Sequence, residues 1–414
     1  MTANWYRTAC AAMLVAAWAA VALGQEPAKA PDTVRAEVGK PIQAARELIQ
    51  AKKYRDALAK VHEAEAVPNL TGYEKYAIDL TRGSAAQGAG DNDVAVSSFE
   101  SAVASGRLAP ADQLKVIATI AELHYQAKNY AKAISWASRF EKEGGSDPGI
   151  QQVLIQAHYL SGNYADAAKD LRAEIEADEK ADRVPTEDKL QFLASCYLKM
   201  NDNAGYTMVL EKLVAHYPKK SYWADMISRV QRKPGFSDRL DLDVLRLRLA
   251  TGNMSKPEEY MEMAQLALQA GFPVEAKKIL DQGYASGTLG KGAEVERQNR
   301  LRDLANRQAA QDVKEIAHVE SESTSMSADA LIATGYNLVV NGQAERGLSL
   351  MEQGLRKGAL KHPEDAKLHL GLAYIQSGQR SKAVQVLQTV HGNDGAADLA
   401  RLWVLHAGRA SSAT

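Results

Sequence analysis

The stretch Gly378-Gln-Arg-Ser-Lys-Ala383 decides how this chain is read. Leu370, Gly371, Ala373 and Tyr374 stand before it, and Leu387 and Val390 follow it. Apolar residues at three- and four-residue steps mark one face of a helix. The first helix carries Leu-Gly-x-x-Tyr, a glycine-led turn follows, and a second helix opens with a small residue, Ala383. The stretch therefore predicts an antiparallel helix pair whose two members cross closely at small side chains.

The same frame recurs upstream. Lys52-Lys-Tyr-Arg-Asp-Ala57, Gly90-Asp-Asn-Asp-Val-Ala95, Lys128-Asn-Tyr-Ala-Lys-Ala133 and Gly162-Asn-Tyr-Ala-Asp-Ala167 repeat the turn and the small residue. Leu193, Ala194 and Tyr197 lead to Tyr206, Leu210, Leu213 and Pro218; Met263 and Ala264 lead to Gly271-Phe-Pro-Val-Glu-Ala276. A weaker copy runs from Ala333 through Gly342 to Gly347 and Met351. Ala57, Ala95, Ala133 and Ala167 are separated by 38, 38 and 34 residues. Pro68, Pro110, Pro148, Pro185, Pro218 and Pro363 fall between helix pairs, where a residue that disrupts helix interiors is tolerated. This pattern resembles the tetratricopeptide repeat (TPR), whose unit is about 34 residues. The resemblance implies an all-α fold, a right-handed α-α superhelix in which each pair buries its apolar face only by stacking on the next. Another antiparallel helical repeat would change the name and keep the architecture.

Composition agrees with helices. The chain has 414 residues, 46% of them hydrophobic and only 6% aromatic, and much of the apolar share is alanine, the best helix former. The formal net charge of -1 leaves no basic excess to neutralise a phosphate backbone, which argues against general nucleic-acid binding. Met1–Tyr6 is polar, Arg7 is the only charge before Glu26, and Ala9–Leu23 is almost continuously apolar. Small residues end the run, so residues 1–24 are expected to be a signal peptide cleaved near Ala22 or Gly24. The chain is then expected to be exported to a bacterial periplasm and soluble. Of the two cysteines, Cys10 lies in the signal, leaving Cys196 without an intramolecular partner and expected to be buried. Residues 25–34 read as a linker, 35–220 as an N-terminal array, and 221–290 as divergent helical repeats in which Leu240, Leu242, Leu245, Leu247 and Leu249 crowd one helix. Residues 291–327 read as a charged helix and flexible joint, and 328–414 as further repeat units with a capping helix.

Chemical motifs are sparse. HExxH, paired CxxC and GxSxG do not occur. Gly287-Thr-Leu-Gly-Lys-Gly292 has only part of a phosphate-loop spacing and Gly292 where Ser or Thr would take the metal. His124 and His158 hold equivalent positions in successive units, where the repeat usually places Tyr, so packing is expected of them rather than metal binding. Arg297, Arg300, Arg302 and Arg307 form a basic cluster interleaved with Glu294, Glu296 and Asp303, the composition of a solvated helix. No catalytic residue, cofactor site or metal site is expected.

In the TPR family the first helix of each unit lines a groove. By repeat position the resemblance implies a protein-binding face made of Lys115, Glu122 and Tyr125, then Gln152, Gln156 and Tyr159, then Gln191, Ser195 and Leu198. Polar groups flanked by tyrosines suit an extended peptide or a partner helix. Thr71-Gly72-Tyr73-Glu74 and His216-Tyr-Pro-Lys-Lys-Ser-Tyr-Trp223, with Pro185 before the fifth unit, also resemble exported bacterial TPR proteins that accompany TonB-ExbB-ExbD systems. That narrower resemblance implies a periplasmic, non-catalytic accessory whose partners are TonB-, ExbB- or ExbD-type envelope components. A general adaptor for envelope assembly or export is the other binding function compatible with the repeats.

Overall fold

A computed structural model describes residues 32–316 and 325–409. The expected signal peptide, most of the linker and most of the joint at 320–327 lie outside the described residues. Among the described residues the structure is entirely helical, with twenty α-helices, one 3-10 turn and no strand. The all-α expectation holds. The chain divides into two units, Met1–Ala177 and Asp178–Thr414.

The first unit is a stack of hairpins. Helix α1 (Ala36–Gln50) pairs with α2 (Tyr54–Glu65), α3 (Gly72–Ala89) with α4 (Asn92–Ala104), and α5 (Pro110–Gln126) with α6 (Tyr130–Lys142). Helix α7 (Pro148–Leu160) then leads into α8 (Tyr164–Lys180). Each first helix also touches the first helix of a neighbouring pair, α1 on α3 and α5 on α7. Val38, Ile42, Ala45, Ala57, Val61 and Ala64 close the first core cluster, and Phe99, Ile117, Ile120 and Phe140 fill the next. Alanine at the crossings lets the helices approach, and the larger side chains fill the space between pairs.

A single conformational requirement explains the turn. The residue five before the small anchor is left-handed at Lys52, Gly90, Lys128, Gly162, Gly271, Gly342 and Gly378, and so is Asn201, where Tyr206 stands in place of the small anchor; all have positive φ, from 56° to 88°. Glycine adopts this conformation without the Cβ clash that other residues suffer. Prolines enter where no amide is needed: Pro110, Pro148 and Pro363 each sit in the first turn of a helix.

The second unit holds α9 (Glu187–Lys199), α10 (Asn203–His216), α11 (Lys220–Gln231), a 3-10 turn (Asp238–Leu240) and α12 (Asp241–Ala250). It continues with α13 (Pro257–Gln269), α14 (Pro273–Ala285), α15 (Val295–Ile316), α16 (Ala328–Val340), α17 (Ala344–Lys357), α18 (Pro363–Gln376), α19 (Arg380–Leu387) and α20 (Ala396–Arg409). Pairs α9/α10, α13/α14, α16/α17 and α18/α19 follow the repeat. Helix α12 does not. Six consecutive residues, Leu242 to Leu247, are buried, so it is enclosed on all sides instead of presenting one apolar stripe. Helix α20 packs on α18 and α19, and also returns to α10 and α12. Lys233 Nζ reaches Asp398 Oδ2 at 2.8 Å, Arg401 reaches Glu211 at 3.0 Å, and the rings of Trp223 and His406 meet edge-on at 6.1 Å. The last helix of this unit thus touches its early ones.

Candidate protein-binding face

Six of the nine expected face residues lie in the first unit, on α5 and α7. Lys115 is exposed and its Nζ lies 3.0 Å from Asp112 Oδ1. Two turns on, Glu122 is half-buried; burial, with nearby Asp147, pushes its carboxyl above the usual range. Tyr125 donates its hydroxyl hydrogen to Gln156 Oε1 at 2.5 Å, joining α5 to α7 across successive repeats. Its ring tilts against Tyr130 at 6.0 Å, and Tyr159 meets Tyr164 edge-on at 5.2 Å, so each tyrosine is braced by the second helix of its own hairpin. Gln152 is half-buried beside them. Adjacent Leu160 is 50% exposed and adds apolar area at the end of α7.

The remaining three residues lie on α9 of the second unit. Gln191 Nε2 donates to Glu187 Oε1 at 3.2 Å and to Tyr222 Oη at 2.5 Å. Tyr222 also bonds Glu187, and Lys219 Nζ sits 2.8 Å from Glu187 Oε2. The hydrogen bond from Lys219, then that from Tyr222, hold the Glu187 carboxyl below its ordinary range. Ser195 is half-buried and Leu198 is 49% exposed. Tyr222 and Glu187 were not singled out by repeat position; the signal that points to them is the run Lys219-Lys-Ser-Tyr222 at the start of α11.

The physical character of the face follows. Polar groups are braced by inter-repeat hydrogen bonds, and tyrosine rings are held by their hairpin partners. Such a surface offers donors, acceptors and aromatic area whose side-chain entropy is already spent, the condition that favours binding an extended segment.

The other candidates resolve into structure. His124 is buried with Nε2 3.2 Å from Glu100 Oε1, and among the described residues no group of three or more His, Cys, Asp or Glu could hold a metal ion. Cys196 is buried, and burial pushes its thiol up to about 11. The glycine-rich stretch after α14 is a turn into α15, with Gly290 N donating to buried Gln298 at 2.8 Å. Arg297 faces Glu294 at 3.6 Å and Arg300 faces Glu296 at 3.7 Å. Arg302 is 3.0 Å from Asp281 and stacks 4.3 Å from the Tyr284 ring centroid, docking α15 on α14. No helix among the described residues is long and apolar enough to cross a membrane.

The tetratricopeptide repeat family pattern matches residues 365–393, the segment that contains the quoted turn. No curated protein matches the chain. Among solved structures, the chain is similar to a tetratricopeptide repeat protein from Parabacteroides merdae, at 13% identity and a TM-score of 0.33, covering 81% of this chain and 98% of that one. Yeast Tom70 is similar at 12% identity and a TM-score of 0.24, covering 91% of this chain and 96% of that one. The TPR domain of P58(IPK) is similar at 12% identity and a TM-score of 0.24, covering 91% and 99%.

Proposed function

We propose that this chain is a non-catalytic scaffold that holds protein segments against the first-helix face of its repeats. The observation that carries the reading is the Tyr125–Gln156 contact at 2.5 Å, with half-buried Glu122, Gln152 and Tyr159 around it. These groups are ordered yet still reachable, as a peptide-binding surface requires. The finer reading is a periplasmic accessory of a TonB-ExbB-ExbD system. Its support is the sequence resemblance at Thr71–Glu74 and His216–Trp223, together with the apolar N-terminal run.

The test is in-cell photocrosslinking from Tyr125, Tyr159 and Gln191, one at a time, with mass spectrometry of the trapped proteins. A TonB-, ExbB- or ExbD-type adduct is the expected result. Adducts with export or outer-membrane assembly proteins instead would reassign the scaffold to general envelope assembly. Silence at all three positions would remove this face as the binding surface.

A further inference from the structure

The face that stays open in the first unit is covered in the C-terminal repeats. In the repeat frame, Glu122 and Gln156 stand eleven residues before their small anchors Ala133 and Ala167; Tyr336 and Leu372 stand the same eleven before Gly347 and Ala383. Glu122 and Gln156 are half-buried, whereas Tyr336 is 0% exposed and Leu372 3%. One turn earlier, Ala118 and Gln152 are half-buried, and their counterparts Ile332 and Leu368 are buried. At all four positions a half-buried side chain has become a buried one, and at two, Gln156 to Leu372 and Gln152 to Leu368, a polar side chain has become apolar.

Against this face, at Tyr336, Asp365 and His369, the chain lays its own 3-10 turn and α12. Arg239 donates to both carboxylate oxygens of Asp365, at 2.8 and 3.1 Å, and also pairs with Asp394. Asp365 lies in the first turn of α18, on the helix that carries Leu368 and Leu372. Deeper in, Arg246 lies over two rings that touch each other, 5.1 Å from the centroid of Phe272 and 4.8 Å from that of Tyr336. Its guanidinium donates to Asp243 at 2.7 Å and to Glu275 at 2.8 and 2.6 Å. Asp243 in turn meets His369 Nε2 of α18 at 3.0 Å. Asp243 and Arg246 are both buried, so neither charge can leave without stranding the other in a dry environment.

We propose that residues 238–250 are an intramolecular occupant of the first-helix face of the C-terminal repeats, latched by Arg239 and Arg246, and that this occupant closes that face to partners. The inference rests on reading the equivalent face of the first unit as partner-binding. The latch has an accessible half, Arg239 with its aspartates at the edge, and an enclosed half around Arg246. A competing segment would need to present a guanidinium to Asp365 and another to Glu275, the carboxylates that stay behind when residues 238–250 leave. The face accordingly suits an arginine-bearing helix, and α12 already supplies one.

Hydrogen–deuterium exchange on the whole chain tests this without any partner, so it can fail while crosslinking at Tyr125 succeeds, and the reverse. Amides of 241–250 are expected to exchange together with those of 363–376. Arg239→Ala is expected to speed both by about tenfold, since losing the Arg239 pairs frees the edge of the occupant, and to leave 110–160 unchanged. Exchange at 241–250 well ahead of 363–376, or no change on Arg239→Ala, would each overturn the proposal. Should Arg239→Ala not fold, Asp365→Asn makes the same test from the other side of the pair.

Discussion

Lys52 and Lys128 hold φ of 59° and 61° at the turn position that five of the repeats give to glycine. Both pay the Cβ clash of the left-handed region without the relief that glycine has. Lys128→Gly is therefore expected to raise stability by about 0.5–1 kcal/mol, net of the greater chain entropy that glycine loses on folding. Urea unfolding followed by circular dichroism measures it; an unchanged or lowered midpoint would show that the clash is relieved locally. Glu74 makes a second residue-scale case. Its carboxylate receives Arg35 Nε at 2.8 Å and closes a capping box with Thr71 at the start of α3. The Arg35 hydrogen bond, more than the backbone amides of Thr71 and Arg35, outweighs burial and lowers the carboxyl from 4.5 to about 2. A lowered folded pKa means stability present above the unfolded value and lost as pH falls through the folded one. The first unit should weaken between about pH 4.5 and 2, and Glu74→Gln should flatten that part of an acid-unfolding curve while lowering stability at pH 7.

At the level of elements, α16 and α17 cross at glycines on both sides. A Cβ on Gly347 would stand 2.4 Å from the Gly335 carbonyl oxygen, and one on Gly335 would stand 2.6 Å from that of Gly347. Backbone cannot yield as a flexible side chain does, so the helices must separate. Gly347→Ala is expected to cost about 1–3 kcal/mol, the range of overpacking, despite the higher helix propensity of alanine; thermal unfolding reads it. The N-terminus of α3 offers a milder change. Thr71 accepts from Glu74 N at 3.1 Å, and Thr71→Ala should cost about 1 kcal/mol. The same scale explains α15: Gln298, Ala305 and Ala309 form a buried stripe, Arg300 pairs along the helix with Glu296, and Arg302 reaches across to Asp281 of α14.

Over a whole unit, the two halves of the chain differ in kind. Among the described residues of the first unit the main helix contacts run between neighbouring hairpins, so its stability should behave as a sum of local terms. The second unit breaks that rule, because α20 returns to α10 and α12. Removing residues 396–414 should therefore do more than fray an end. It takes away Trp403 and the Asp398 and Arg401 pairs, and is expected to loosen α10–α12, far earlier in the chain. Hydrogen exchange compared between full and shortened chains checks this; loss of protection confined to α18 and α19 would show instead a simple terminal repeat.

The hairpins, their turns and their crossings were legible in the sequence because each is local. A left-handed turn residue, a small anchor five positions on and apolar steps of three and four are all set within one repeat. The same frame assigned Lys115, Glu122, Tyr125, Gln152, Gln156 and Tyr159 to first helices, and α5 and α7 carry them. The contacts of those residues did not follow: Tyr125 reaching Gln156, or Gln191 reaching Tyr222, depends on how one hairpin leans on the next. The leucines of 240–249 crowd one helix in the sequence, but nothing there says what packs against it. Only the tertiary structure brought Arg239 to Asp365 and Asp243 to His369, and only it returned α20 to α10. Ion pairs between residues more than a hundred positions apart leave no period in the chain, so which faces stay open and which the molecule fills itself is decided by folding as a whole.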